Sequence, residues 1–103
     1  MAVIDIGSNS GRVVVYDVQA NGQLPILASS RASLRLVRDL KGKTLSPQAI
    51  KRTLEALEDF RAIAVGSGAR RTLAVATSAV RDASNGPALL ETARKQLGIE
   101  LRV

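Results

Sequence analysis

The apolar run Ala2-Val3-Ile4-Asp5-Ile6 stops at Gly7 and resumes almost at once with Val13-Val14-Val15. Two such runs around a polar turn read as a β-hairpin. The near-continuous first run has the pattern of a strand covered on both faces. A carboxylate, Asp5, stands inside it, and ionised carboxylates are rarely buried without a partner because desolvation is costly. Gly7 is free to take positive φ, and Ser8, Asn9 and Ser10 place two hydroxyls around an amide. The same letters fit a phosphate loop, with the N–H groups of Gly7 to Ser10 turned toward an oxyanion and Asp5 beside it to hold a metal ion. Spacing alone favours the plain hairpin.

Composition narrows the chemistry. The chain contains no Cys and no His, which excludes thiolate and imidazole catalysis and zinc sites built from those ligands. Any metal here is a hard cation held by oxygens. Tyr16 and Phe60 are the only aromatics, so the core is aliphatic and base-stacking nucleic-acid modules lack their ring platforms. The net charge is +6, carried mostly by Arg, the better fork for phosphate oxygens. That balance suits a polyanionic partner (polyphosphate, nucleotide or nucleic acid) or simply coats the solvent face. With 103 residues, 46% of them hydrophobic, the chain is one small domain or part of a larger one. It shows neither a signal peptide nor a bilayer-length apolar run, which makes a soluble cytoplasmic protein the default expectation.

Taken in order, Tyr16-Asp17-Val18 ends the second strand and Ala20-Asn21-Gly22-Gln23 is a turn. A third extended stretch runs from about Leu24 to Leu36. Ala32, Leu34 and Leu36 face one way there, Arg31, Ser33 and Arg35 the other. Such a half-exposed strand belongs at a sheet edge, and Pro25 agrees. Arg38 to Thr44 reads as a loop. Ser46-Pro47 opens a helix with Ile50, Leu54, Leu57, Phe60 and Ala64 as its buried side, closed by Gly66-Ser67-Gly68. Leu73-Ala74-Val75-Ala76 is a strand reached by a parallel crossover. Asn85-Gly86-Pro87 starts a second helix with Leu89, Leu90, Ala93 and Leu97 inside and Gly98 as its stop. Ile99, Leu101 and Val103 begin a last strand, so the sequence reads as cut in mid-strand. The fold class is α/β: an antiparallel three-strand meander followed by helix, strand, helix, strand.

Thr77-Ser78 leaves the carboxyl end of the presumed parallel strand, where ligands gather in open α/β sheets. Arg81, one turn on, could aim into the same crevice, with Asn85 a further turn on. An ordinary helix start with capping hydroxyls and a solvated Arg81 fits these residues too.

The two stretches together, Asp5-Ile6-Gly7-Ser8-Asn9-Ser10 and Ala76-Thr77-Ser78-Ala79-Val80-Arg81-Asp82-Ala83-Ser84-Asn85-Gly86, resemble the exopolyphosphatase / guanosine pentaphosphate phosphatase family. The intervening Leu34-Arg35-Leu36, Gly42 to Ser46, Ala49-Ile50-Lys51-Arg52 and Leu57 to Phe60 resemble it as well. The resemblance implies a ribonuclease-H-like fold of the actin-like ATPase superfamily, Mg²⁺, and hydrolysis of a terminal phosphoryl group. It assigns metal positioning to Asp5, directly or through water, and substrate binding to Gly7, Ser8, Asn9, Ser10, Arg12, Thr77, Ser78, Arg81 and Asn85. Inorganic polyphosphate and guanosine pentaphosphate both fit as substrates, and full-length members are expected to be homodimers.

Two positions depart from the family pattern. Gly11 replaces a larger apolar residue, which predicts a looser loop, and Val37 replaces a frequent Gly. The family's Ser-Gly-x-Glu-Glu-Ala motif, which supplies the glutamate that activates water, is expected just after Val103. Residues 1–103 are therefore expected to form the amino-terminal part of a first actin-like domain, with no catalytic group of their own. Two other classes compete: an actin-like ATPase or sugar-kinase-type phosphotransferase, and a basic non-enzymatic domain binding anions or nucleic acid. The first usually carries Asp-x-Gly-Thr loops, and the second is opposed by scattered basic residues and few aromatics.

Overall fold

The computed structural model describes residues 1–36, 40–41 and 44–103, apart from the side chains of Leu40, Lys41 and Ser78. The elements run β1 (Ala2–Ile6), β2 (Ser10–Tyr16), β3 (Ile26–Ser33), β4 (Leu40–Lys41), β5 (Thr44–Leu45), α1 (Pro47–Gly66), β6 (Thr72–Ala76), α2 (Ser78–Asp82), α3 (Gly86–Leu97) and β7 (Leu101–Arg102). The main sheet has the order β3-β2-β1-β6-β7, and β4 pairs with β5 in a separate ribbon. β1, β2 and β3 are antiparallel neighbours, whereas β6 lies parallel to β1 and β7 parallel to β6. The meander and the crossover that follows it are thus both present, with β3 at the edge as its half-exposed pattern predicts.

Local chemistry accounts for the boundaries. Val13, Val14 and Val15 are stiff, β-branched residues that suit the pleated β2. The turn after β2 is set by Gly22 at φ 83° and by the Asn21 side chain, whose Oδ1 accepts from the Gln23 N–H at 3.0 Å. Ser46 caps α1 by accepting from the Ala49 N–H at 3.0 Å, and Pro47 fills the first helical position, where no N–H is needed. Gly98, at φ 65°, stops α3 and donates to the Arg94 carbonyl. No helix among the described residues is long and apolar enough to cross a membrane.

The core lies on one side of the sheet. Ala2, Ile4, Ile6, Val13, Val15 and Ala74 share a single apolar cluster with Leu57, Phe60 and Ala64 of α1 and Leu89 and Ala93 of α3. The opposite face carries the residues of the other parity. Asp5, Arg12 and Arg31 are exposed there, and Val14, though buried, lies outside the cluster. β1 therefore alternates, rather than being covered on both faces as its apolar letters predict. The desolvation problem anticipated for Asp5 does not arise.

Other expectations need correction. The third strand occupies Ile26–Ser33 and not 24–36, because Arg35 takes φ 54° and breaks the extended backbone. Leu34 and Leu36 remain buried beyond its end. Within the expected loop at 38–44, β4 and β5 pair as a ribbon. Val37, Arg38, Asp39, Gly42 and Lys43 lie outside the described residues. The segment leaving β6 is a short helix, α2, before α3 begins. On α1 the fully buried line is Ala49, Thr53, Ala56, Leu57, Phe60 and Ala64, with Ile50 and Leu54 half-buried at its margin. Thr53 is tolerated inside because its hydroxyl donates to the Ala49 carbonyl at 2.8 Å. Gly11 does not loosen its loop. A Cβ there would lie 3.1 Å from Leu34 Cδ1 and 3.2 Å from both Ile6 Cδ1 and Phe60 Cε2, so neighbours already fill that space.

The junction between α2 and α3 is tight at Gly86. A Cβ on Gly86 would fall 1.9 Å from the Val80 carbonyl oxygen. Beside it, Asn85 Oδ1 accepts from the Leu45 N–H and Asn85 Nδ2 donates to the Leu45 carbonyl, both at 2.9 Å. One side-chain amide thereby completes the β5 backbone as a neighbouring strand would.

Gly86→Ala is expected to cost about 1–3 kcal/mol in chemical denaturation, as for other overpacked sites, with an unchanged midpoint arguing against the close approach. Asn85→Ala strands a donor and an acceptor of Leu45 and is expected to cost about 1–3 kcal/mol, whereas Asn85→Asp keeps the bond from the Leu45 N–H but sets oxygen against oxygen at the Leu45 carbonyl. Equal stability of wild type and both Asn85 variants would show that the amide is not holding β5.

Candidate functional site

The strand order reverses between β1 and β6, since the chain runs outward from β1 through β2 and β3 and returns on the other side as β6. Crevices of this kind, at the carboxyl ends of strands, are where open α/β sheets bind ligands. The turn Gly7-Ser8-Asn9 leaves β1 there, and Thr77 leaves β6 there. They meet: the Thr77 N–H donates to the Ile6 carbonyl at 2.8 Å, and Ser8 Oγ lies 3.3 Å from Thr77 Oγ1, in hydrogen-bond contact. Thr77 occupies the capping position of α2, yet its side chain makes no cap bond. Its hydroxyl is turned to the first loop instead.

The first loop is held by its carbonyls. The N–H groups of Leu34 and Arg35 both donate to the Asn9 carbonyl, at 2.8 and 3.0 Å, and the Leu36 N–H donates to the Ser8 carbonyl at 2.8 Å. The Leu34 carbonyl in turn accepts from Arg52 Nε of α1 at 3.0 Å. Gly7 closes the turn by donating to the Ser10 carbonyl at 2.9 Å. A Cβ on Gly7 would sit 3.0 Å from that oxygen, so glycine serves here by its small size and not by a positive φ. Among the described residues the N–H groups of Ser8 and Asn9 have no acceptor. A turn pinned through its carbonyls in this way leaves successive N–H groups available to an acceptor.

The remaining expected residues divide. Ser10 and Arg12 follow the loop on β2, with Arg12 in register opposite Asp5 of β1. The Asp5 side chain is exposed and makes no hydrogen bond or ion pair among the described residues. No group of three acidic side chains able to cage a metal occurs among them. Mg²⁺ is commonly held by one or two carboxylates with phosphate oxygens and waters completing its shell. A single free carboxylate on the strand that leads into this loop fits that set as one anchor. Arg81 extends from α2, but its Nε is 3.2 Å from Asp82 Oδ1, an exposed pair of the kind that contributes little to stability. The two loops are joined through Ser8, Ile6 and Thr77 rather than through Arg81. The carboxamide of Asn85 is engaged by Leu45 and holds the second loop's flank in place. Nothing is described of the Ser78 side chain.

Sequence reasoning missed the clasp formed by Leu34, Arg35 and Leu36, because main-chain donors carry no side-chain signature. It also missed the role of Arg52, whose spacing on α1 marks only a partly exposed helix face.

Comparisons with known proteins identify the family and the fold. The sequence pattern of the Ppx/GppA phosphatase family matches residues 14–103. Exopolyphosphatase 1 of Mycobacterium tuberculosis is 36% identical over 104 residues, covering 99% of this chain and 30% of that protein. An uncharacterized protein of Streptomyces coelicolor is 33% identical over 101 residues, covering 97% of this chain and 30% of its own length. The crystal structure of the Aquifex aeolicus Ppx/GppA family member superposes with a TM-score of 0.92 at 28% identity, over 99% of this chain and 33% of that one. An exopolyphosphatase from Cytophaga hutchinsonii gives a TM-score of 0.90 at 27% identity, over 97% of this chain and 32% of that one. The chain thus spans about a third of the length of these relatives. Sequence match and superposition together establish that the chain belongs to the Ppx/GppA phosphatase family, of which it carries the amino-terminal portion, built on the actin-like ATPase fold.

Proposed function

We propose that this segment is the phosphate-binding half of a phosphoanhydride hydrolase that releases terminal phosphate from inorganic polyphosphate, guanosine pentaphosphate or both. The observation that carries the reading is the contact between Ser8 and Thr77, which sets the free N–H groups of Ser8 and Asn9 beside the end of β6. In this reading those N–H groups hold oxygens of the terminal phosphoryl group. Ser8, Ser10 and Thr77 hydroxyls add donors, and Arg12 adds positive charge from the next strand. Arg81 leaves its weak pair with Asp82 when a phosphate offers a stronger partner. Phosphoryl transfer rests mainly on such positioning and charge stabilisation, with water attacking the phosphorus in line with the leaving oxygen. Asp5 would anchor Mg²⁺, which when bound neutralises charge on the phosphate oxygens. In this reading the water-activating glutamate belongs to the part of the relatives' length that this chain does not span, and binding and water activation are divided between the two parts.

Tripolyphosphate titrated into this chain is expected to bind, and Ser8→Ala or Thr77→Val to weaken binding about tenfold or more, in keeping with loss of a single hydrogen bond to a charged group. Binding indifferent to both variants would remove the site from this crevice. Mg²⁺ is expected to strengthen that binding in the wild type and to do so less in Asp5→Asn. In a longer protein that includes the downstream motif, Arg81→Ala is expected to lower kcat/KM toward polyphosphate by about 10- to 100-fold, and unchanged kinetics would return Arg81 to the surface. Phosphate release by residues 1–103 alone would overturn the division of labour.

A further inference from the structure

The clasp on the first loop turns on a single peptide unit. The Leu34 carbonyl and the Arg35 N–H belong to the same peptide group, and both of its polar ends are held. The carbonyl accepts from Arg52 Nε of α1 at 3.0 Å, and the N–H donates to the Asn9 carbonyl at 3.0 Å. A planar trans peptide carries these two groups on opposite sides, so a bond at one end fixes the direction of the other.

The strain of that direction falls on Arg35. Among the described residues it alone, glycines aside, has a positive φ, at 54°. Its side chain is exposed and makes no hydrogen bond or ion pair among those residues, so it does not hold the backbone there. Turning the peptide over, by opposite rotations about the Leu34 ψ and the Arg35 φ, returns Arg35 to negative φ, where a residue with a Cβ is more stable. The same turn exchanges the two ends. The Leu34 carbonyl then faces the Asn9 carbonyl, and the Arg35 N–H faces the Arg52 guanidinium, donor against donor. The flanking peptides need not move. Leu34 and Leu36 are buried, and their own N–H groups grip the Asn9 and Ser8 carbonyls from either side.

We propose that Arg52 is a positioning residue for phosphate binding: by holding the Leu34 carbonyl it locks the 34–35 peptide in the orientation that grips the Asn9 carbonyl, and so keeps the N–H groups of the first loop turned to the ligand. The proposal rests on the reading that the loop at Ser8 and Asn9 takes the terminal phosphate. Arg52 acts through its Nε–H on the backbone and not through its charge on the phosphate. Without that donor nothing offsets the left-handed strain at Arg35, and fewer molecules hold the gripping orientation. Apparent affinity falls by the same fraction.

The test titrates tripolyphosphate by calorimetry into wild type, Arg52→Met, Arg52→Gln, and two double variants, Arg52→Met with Arg35→Gly and Arg52→Met with Arg35→Ala. Methionine matches the arginine stem in length as far as Nε and carries no donor there. Glutamine sets an amide nitrogen at the same remove from the backbone and lacks the charge. Arg52→Met is expected to weaken binding about tenfold, and Arg52→Gln to keep most of the wild-type affinity. The two double variants lose the same charge at position 35, but only glycine is at ease with positive φ. Arg35→Gly is therefore expected to recover binding in the Arg52→Met background, and Arg35→Ala is not. Hydrogen exchange at the residue 35 amide, measured without ligand, is expected to follow the same order, fastest where binding is weakest. Wild-type affinity in Arg52→Met, equal binding by the two double variants, or an exchange rate that ignores Arg52 overturns the proposal. Tenfold weaker binding by Arg52→Gln also overturns it, however well Arg52→Met folds, because the charge and not the donor is then at work. Ser8→Ala, run in the same series, separates this proposal from the reading beneath it. If Ser8→Ala weakens binding and Arg52→Met does not, the lock falls and the loop reading stands. If Ser8→Ala binds as wild type does, the loop reading falls and takes the proposal with it.

Discussion

The site depends on which side of a short peptide segment is tied down. Three N–H groups from residues 34–36 grip the carbonyls of Ser8 and Asn9, and this fixes the remaining polar groups of that turn in the opposite sense. A hairpin turn with free carbonyls would repel an anion. With its carbonyls engaged, the same turn presents its N–H groups instead. The clasp is itself anchored from α1 by Arg52, and it requires Arg35 to adopt a left-handed φ that costs a residue with a Cβ some conformational energy. Strain of this kind persists only where surrounding bonds over-determine it, and here the bonds are those of the clasp.

Much of the architecture was legible in the residues. Apolar runs and their polar breaks located the hairpin, the Asn-Gly turn, the Ser-Pro start of α1 and the Gly98 stop of α3. What was not legible follows from two-body geometry. Alternation in β1 was hidden because Val3, on the open face, is as apolar as its inward neighbours. The clasp was hidden because Leu34 and Leu36 keep their buried positions whether the backbone is strand or turn. The need for glycine at position 86 depends on where a carbonyl six residues earlier happens to lie.

The site was legible to a different degree. The two loops could be named from their letters, and the parallel register of β1 with β6 brings their ends together. The roles within them could not. Thr77 looks like a helix cap and is not used as one, and Asn85 looks like a ligand donor while its amide is engaged with the backbone of Leu45. In both cases the side chain has two chemically reasonable uses, and only the neighbouring strand decides between them.

The contact between Ser8 and Thr77 joins residues that are 69 positions apart in the chain. Non-local contacts of that span form after local ones, because loop closure must be met before the contact repays it. The clasp on the first loop comes from residues 34–36, a shorter span of chain, whereas the contact with Thr77 arrives only with the parallel ladder between β1 and β6. A molecule that required both loops would bind only once β6 has paired with β1, and would favour that state by mass action.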